Sequence, residues 1–251
     1  MLATDLDGTF LGGSEADRLA LYAWIEAHRA SVGLIFVTGR DPQFIAGLVD
    51  GTPVPVPDYV IGDVGTTIAE TAPGAAGTEI RPIPALEADI AARWQDSGAR
   101  VRAALDGHPG LTLQPTDFRY RVSYDMDPAA YDPAAEAIVA AMELDHLISA
   151  DQFFDVLPRG VSKGPSLKRL AAHLGIAEAR VLAAGDTLND LSMLASGLPA
   201  VAVGGSEAPL LAALDGHDHV HRARAIGAAG IAEAIAALGL HNNPPGGSHA
   251  V

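Results

Sequence analysis

Residues Met1–Leu11 read "MLATDLDGTFL", a short apolar run that ends on Asp5, Asp7, Gly8 and Thr9. An apolar run without polar alternation fits a strand covered on both faces, the habit of parallel sheets. Acids at the end of such a strand carry weight, because open α/β sheets bind ligands beyond the carboxyl ends of their strands.

The same arrangement recurs outward from this segment. "VGLIFVTGR" ends on Thr38, Gly39 and Arg40, "PDYVIGDVGT" on Asp63 and Gly65, and "RVLAAGDTLND" on Asp186, Asn189 and Asp190. Between the first of these runs lie helical stretches: "SEADRLALYAWIEAHRA" with Ser14 as N-cap, and "DPQFIAGLV" with Pro42 at its first position. Strands alternating with amphipathic helices predict a parallel sheet with helices on both faces, a Rossmann-like α/β core.

From Arg81 to Pro158 the alternation stops. A helix ("ALEADIAARWQDSG"), strand-like "LTLQP" and "RYRVSYDMD", a helix ("DPAAEAIVAAMEL") and the strand pair "HLISA" and "QFFDVLP" follow one another. Such an order describes an inserted α+β unit. The predicted organisation is therefore a core of residues 1–80 and 160–240, a cap of residues 81–159, and a disordered tail of residues 241–251.

Composition narrows the chemistry. The 251 residues include 49% hydrophobic ones, enough for a full core, and no cysteine, which excludes thiol nucleophiles, disulfides and cysteine zinc sites. A net charge of -15 argues against nucleic acid or anionic membrane as the main partner, while a local cation can still admit a small phosphorylated substrate. Without a basic leader or a long apolar run the chain is expected to be cytoplasmic, and the sequence carries no statement of oligomeric state.

Asp5, Asp7 and Asp186 gathered at one sheet edge would raise one another's pKa unless a cation joined them. Mg²⁺ suits such oxygen ligands, with Asp5 and Asp186 the first choices. Thr38, Lys163 and backbone N–H groups around Gly8 and Gly39 would then hold a phosphoryl group. Lys163 is one of only two lysines and opens the helix "GPSLKRLAAHLG", where the helix dipole repels a cation. Singly, each feature also has a plainer reading as a turn, a helix cap or a surface charge; their shared placement at strand ends favours a site.

In this order the elements resemble the haloacid dehalogenase superfamily: Asp5 and Asp7 in its D-x-D motif, Thr38 in the second, Lys163 in the third, Asp186 and Asp190 in the fourth. The insert after the third strand is similar to the α/β cap of the Cof-like branch. More narrowly, "PDYVIGDVGT", "DVLPRGVSKG" and "GDTLND" resemble the sucrose-phosphate phosphatase family. The resemblance implies a Mg²⁺-dependent phosphatase of a sugar phosphate such as a disaccharide phosphate. Asp5 would be the nucleophile, and Asp7 the general acid and base whose carbonyl also touches the metal. Lys163 would screen charge, Thr38 and Asn189 bind phosphate, and Asp186 and Asp190 complete the metal shell. On this reading Lys163→Ala costs turnover with little loss of stability.

Specificity would come from the cap, where a period of two in "RYRVSYDMD" puts Arg119, Arg121, Ser123 and Asp125 on one face and Tyr120, Val122, Tyr124 and Met126 on the other. Arg119 and Arg121, with Arg40 and Asp63 from core loops, are the candidate sugar contacts; an ordinary solvated face is the alternative. His217, His219 and His221 would share one face of a strand, but a polar edge or loop is preferred to a metal cluster. A phosphosugar mutase and a non-catalytic phospho-aspartate signalling or binding module remain as alternatives.

Overall fold

The computed structural model describes residues 1–116, 118–149 and 151–246. Ala150, the last residue of "HLISA", and residues 247–251 of the expected tail lie outside them. Two compact units are present: Met1–Pro82 with the chain from Lys163 onward, and Ile83–Ser162 between them.

The first unit begins β1 (Leu2–Thr4), α1 (Glu15–Ala27), β2 (Leu34–Val37), α2 (Pro42–Gly51), β3 (Tyr59–Gly62), β4 (Thr67–Gly74) and β5 (Gly77–Pro82). The second unit follows with α3 (Pro84–Trp94), α4 (Gly98–Ala104), β6 (Leu111–Leu113), β7 (Val122–Met126), α5 (Ala134–Ala141), β8 (Leu144–Ser149) and β9 (Phe153–Pro158). The chain then returns to the first unit through α6 (Lys163–His173), β10 (Leu182–Gly185), α7 (Leu191–Leu194), β11 (Ala200–Gly204), α8 (Ala208–Ala213), β12 (Val220–Ile226) and α9 (Ala228–Ala237).

One sheet in the order β12-β11-β10-β1-β2-β3-β4-β5 forms the first unit. It is parallel from β12 to β3 and antiparallel through β4 and β5. From β1 the chain proceeds to β2 and β3 on one side and returns to β10 on the other, so the topological switch lies between β1 and β10. Leu34, Phe36 and Val60 from the sheet pack with Leu21, Tyr22 and Ile25 of α1 and with Ile231 and Ile235 of α9 in one buried core. Phe10 stacks into it, 4.8 Å from Tyr22 and 5.2 Å from Phe36 between ring centres.

The second unit is an antiparallel sheet, β6-β7-β9-β8, with its own core. Val122, Tyr124 and Met126 pack there with Trp94, Val101 and Val139, so the apolar face read from the period of two covers the helices. The strand itself starts at Val122, leaving Arg119 and Arg121 in the approach to it rather than on its polar face.

Some expectations are revised. Residues 241–246 carry contacts that a disordered tail lacks: the Asn243 carbonyl accepts from Trp24 Nε1 at 2.8 Å, and the His241 ring lies 5.0 Å from both Trp24 and His28. Apolar and hydrogen-bonded contact with α1 is the physical reason. The histidines keep the preferred reading of a polar edge or loop: His217 and His219 precede the edge strand β12, and only His221 lies on it. His219 Nε2 bonds the Leu194 carbonyl at 2.9 Å and His221 Nε2 bonds Glu233 at 2.9 Å. Among the described residues, no helix is long and apolar enough to cross a membrane.

Glu233 on α9 ties down the edge strand β12 by accepting the N–H groups of Arg224 (3.1 Å) and Ala225 (3.0 Å). These bonds, the Ala225 N–H first among them, hold its carboxyl below the ordinary glutamate range. A depressed folded-state pKa contributes stability above the ordinary value that is lost as the pH falls through the lowered one. Glu233→Gln should therefore cost about 1 kcal/mol near pH 7, with the gap to the parent closing in acid, as followed by urea denaturation across pH.

Candidate active site

The register of the sheet places the principal acids side by side. Thr4 of β1 pairs with Ala184 of β10, and the Asp5 N–H donates to the Ala184 carbonyl at 2.9 Å. Asp5 thus leaves its strand beside Gly185 and Asp186, at the carboxyl ends that flank the switch point. The turn that follows brings Gly8 to φ +80°, where a Cβ would stand 2.2 Å from Asp186 Oδ2. Glycine is needed there for both conformation and space. Thr9, wholly buried, donates from Oγ1 to Asp186 Oδ1 at 2.5 Å.

Lys163 enters the same space from the first position of α6. Gly164 lets that helix approach closely, since a Cβ would meet the Ser192 carbonyl at 1.8 Å, and Ser166 Oγ donates to the Gly65 carbonyl at 2.7 Å. The Lys163 side chain is fully buried, and Nζ donates to Asp5 Oδ1 (2.7 Å), Asn189 Oδ1 (2.8 Å) and Asp190 Oδ1 (2.7 Å). Three donors meet three acceptors, which saturates an ammonium. The other Asp190 oxygen accepts the N–H groups of Asp186 (3.0 Å) and Thr187 (3.1 Å), fixing the loop that carries Asp186.

Asp5, Asp186 and Asp190 bring one oxygen each within 4.8 Å of the others, against one lysine. Burial pushes Asp5 up to about 7, against the pull of Lys163 and with added repulsion from Asp190 and Asp186. Burial also raises Asp186 to about 6, opposed by its bond from Thr9 and assisted by Asp190. Burial pulls Lys163 down, but Asp190 and Asp5 outweigh it and hold the ammonium above its ordinary value. A further cation would relieve this excess of negative charge. The donor set is oxygen throughout, and Gly8 leaves open the space beside Asp186 that a side chain would fill, so the residues present fit a hard divalent ion.

The other candidates of the first unit stand at the ends of β1, β2 and β3. Asp7 is exposed and forms a two-pronged ion pair with Arg40, Nε at 2.9 Å and Nη2 at 3.3 Å. Thr38 is buried, its Oγ1 accepting the Arg40 N–H at 3.2 Å, and Gly39 follows it at the end of β2. Asp63, Val64 and Gly65 form a left-handed elbow, with φ of 52°, 59° and 101°. A β-branched residue there is strained. The elbow is held by bonds from Asp63 N–H to the Arg40 carbonyl and from Val64 N–H to the Thr38 carbonyl, while the Asp63 carboxylate accepts from Thr67 at 2.6 Å.

In the second unit Arg119 pairs with Glu87 of α3. Arg121 is buried, 3.5 Å from Asp155, and covers the Phe118 ring at 3.6 Å. Asp155 also accepts from Ser123, so the polar side of this sheet carries an internal network. The sequence reading passed over Thr9 as an Asp186 partner, and over Asp155, whose role depends on pairing between β7 and β9.

The family model described as sucrose-6F-phosphate phosphohydrolase matches residues 1–239. The chain is 39% identical over 241 residues to a glucosylglycerol-phosphate synthase of Pseudomonas anguilliseptica, covering 96% of its own length and 31% of that protein's. It is 30% identical over 210 residues, 77% of each chain, to a mannosylfructose-phosphate phosphatase of Agrobacterium fabrum. Among solved structures, a sucrose-phosphatase from Synechocystis sp. PCC6803 in complex with sucrose and phosphate superposes with a TM-score of 0.81 at 24% identity, over 95% of this chain and 97% of that one. A haloacid dehalogenase-like hydrolase from Bacillus subtilis gives 0.67 at 16% identity, over 96% and 92%. At these identities the structures establish a common fold, a haloacid dehalogenase-like core with a cap.

Complete burial of Lys163 overturns the expectation that its loss would spare stability. Lys163→Ala would leave Asp5 and Asp190 buried without their cation, and breaking such a pair costs about 3–5 kcal/mol. Urea denaturation near pH 8 with chelator should show this deficit, and it should narrow as the pH falls and the carboxylates take up protons. A variant as stable as the parent would contradict the assigned charge balance.

Proposed function

The chain belongs to the sucrose-6F-phosphate phosphohydrolase family, and from that premise we propose that it hydrolyses the phosphate ester of a small glycoside with Mg²⁺, through an aspartyl-phosphate at Asp5. The observation that carries this reading is the 2.7 Å bond from buried Lys163 to Asp5, at the carboxyl end of β1 beside Asp186. A phospho-aspartate signalling module can share that bond, but it needs neither a general acid at Asp7 nor an inserted unit of the size of Ile83–Ser162.

With Oδ1 held by Lys163, Asp5 presents Oδ2 to phosphorus. The carboxylate attacks in line, the bond from phosphorus to the sugar oxygen breaks, and the leaving oxygen takes a proton from Asp7. Asp7, now ionised, accepts a proton from the water that attacks the aspartyl-phosphate, which releases inorganic phosphate and restores Asp5. Arg40 pairs with Asp7 before substrate arrives. The dianionic ester competes for that guanidinium and frees Asp7 to carry the proton. Asp5, Asp186 and the Asp7 carbonyl would hold Mg²⁺, while Asp190 supports the Asp186 loop and Lys163. The ion, when bound, neutralises charge that builds between phosphate and carboxylate. Thr38, Gly39 and Asn189 bind phosphate oxygens, and Asp63, Arg119 and Arg121 contribute contacts to the sugar.

The relatives' names share a phosphorylated glycoside, and glucosylglycerol phosphate is the first candidate because the 39% identical relative is named for it. Disaccharide phosphates such as sucrose 6-phosphate and mannosylfructose phosphate come next. Phosphate release from this panel should require Mg²⁺ and stop with chelator. Asp7→Asn should lower turnover about 10²–10⁴-fold with melting unchanged. An isomerised sugar phosphate without phosphate release, or activity indifferent to chelator, would contradict the proposal.

For the cap, Arg121→Ala should raise KM for the preferred glycosyl phosphate about tenfold, the loss of one charged hydrogen bond, while sparing hydrolysis of a small aryl phosphate. It also leaves Asp155 buried without its cation and should lower the melting temperature, so Arg121→Lys is assayed beside it. Unchanged KM and substrate ranking would remove Arg121 from the sugar site.

A further inference from the structure

Glu207 stands at the start of α8, where an acidic side chain ordinarily caps its own helix. Its carboxylate makes no such bond. Instead Oε2 accepts the Leu188 N–H at 3.0 Å, and the Glu207 N–H donates to the Asp186 carbonyl at 2.9 Å. One residue therefore grips the loop after β10 twice, through main chain and side chain.

Sheet pairing explains the reach. β10 and β11 are parallel neighbours with Gly185 opposite Ala202, so the loops after them leave the sheet side by side. After β11 the chain folds back sharply. Gly204 lies so close to β12 that a Cβ would meet the Arg224 carbonyl at 2.5 Å, and Gly205 adopts φ +88°. Ser206 Oγ then bonds the Val203 carbonyl at 2.7 Å. This turn delivers Glu207 to the Asp186 loop.

The loop's polar backbone is consequently shared between two acids. Asp190 takes the N–H groups of Asp186 and Thr187, and Glu207 takes the N–H of Leu188 while donating to the Asp186 carbonyl. Asp186 is clamped on both sides of its own α-carbon. A substitution at 207 keeps the main-chain bond to Asp186 and the bond from Thr9 to its carboxylate, but shortening the side chain strips the Leu188 N–H of its acceptor and loosens the turn that carries Asp186. Among the described residues, Glu207 lies outside the group of acids able to share one ion, Asp5, Asp186 and Asp190, so its influence is indirect.

We propose that Glu207 is a positioning residue that sets Mg²⁺ affinity by orienting Asp186 through the Leu188 N–H. The inference rests on the metal reading above. Hydrogen bonding and charge make opposite demands on two substitutions: Glu207→Gln keeps the reach and an acceptor oxygen but loses the charge, and Glu207→Asp keeps the charge but falls short. Outer-shell partners of this kind are worth about 10–100-fold in metal affinity.

Mg²⁺ binding is measured by isothermal titration calorimetry on the whole protein, with melting in chelator alongside. Glu207→Asp should bind Mg²⁺ about tenfold more weakly or worse, and Glu207→Gln within about threefold of the parent, with the melting temperatures of both in chelator close to the parent's. Wild-type affinity in Glu207→Asp, or equal losses in the two variants, would overturn the positioning role and leave the metal reading intact. A parent protein that binds no Mg²⁺ would overturn both.

Discussion

A single buried ammonium organises this protein. Lys163 has no exposure to solvent, and its three donors end on Asp5, Asn189 and Asp190. Its position at the mouth of α6 opposes the helix dipole, an effect of about 0.3–1 kcal/mol and at most about 2. Two carboxylates at 2.7 Å each supply on the order of 6 kcal/mol of gross Coulomb attraction at an effective dielectric of 20, and it is the desolvation of these buried charges, not the dipole, that this attraction chiefly offsets. The local conflict is therefore small beside the pairing that it makes possible.

The surrounding loops keep that pairing in place by bonding to one another. Asp5 N–H bonds β10, the Asp63–Val64–Gly65 elbow bonds Arg40 and Thr38, and Ser166 of α6 bonds Gly65. The strain of a left-handed valine is carried by these contacts, which join the ends of β2 and β3 to the helix that supplies Lys163. Such cross-bracing holds charged groups in a fixed arrangement before any ligand arrives, the condition under which electrostatic stabilisation is most effective.

Much of this was legible in the sequence, for physical reasons that differ by element. β1, β2, β3, β10 and β11 are continuous apolar runs because both faces are covered. β4, β5 and β12 mix polar and small residues toward the sheet edge and were not read as strands. The separate helix α4 was hidden because Gln95 and Asp96, both left-handed, break the chain just after α3. The gathering of Asp5, Lys163, Asp186, Asn189 and Asp190 followed from their places at strand and helix ends. The burial of Lys163 did not, since "VSKGPS" has the composition of a solvated helix start. Arg119 and Arg121 kept their side of the sequence but not their strand, because β7 begins only at Val122. Glu207 carried no signal at all: its partners are set by the pairing of β10 with β11.

The central claim is that the Lys163-paired oxygen network makes Asp5 the group that receives phosphate. Its most direct test is rapid acid quench of the Asp7→Asn protein during turnover of an activated aryl phosphate with Mg²⁺, whose leaving group needs no proton from residue 7 while attack by water still needs a base there, followed by borohydride reduction and peptide mass spectrometry. The account requires Asp5 to be recovered as its reduced derivative, in a peptide spanning residues near Met1–Arg18, in amounts that fall away in chelator. A phosphorylated residue elsewhere, or turnover with Asp5 unmodified throughout, would contradict it.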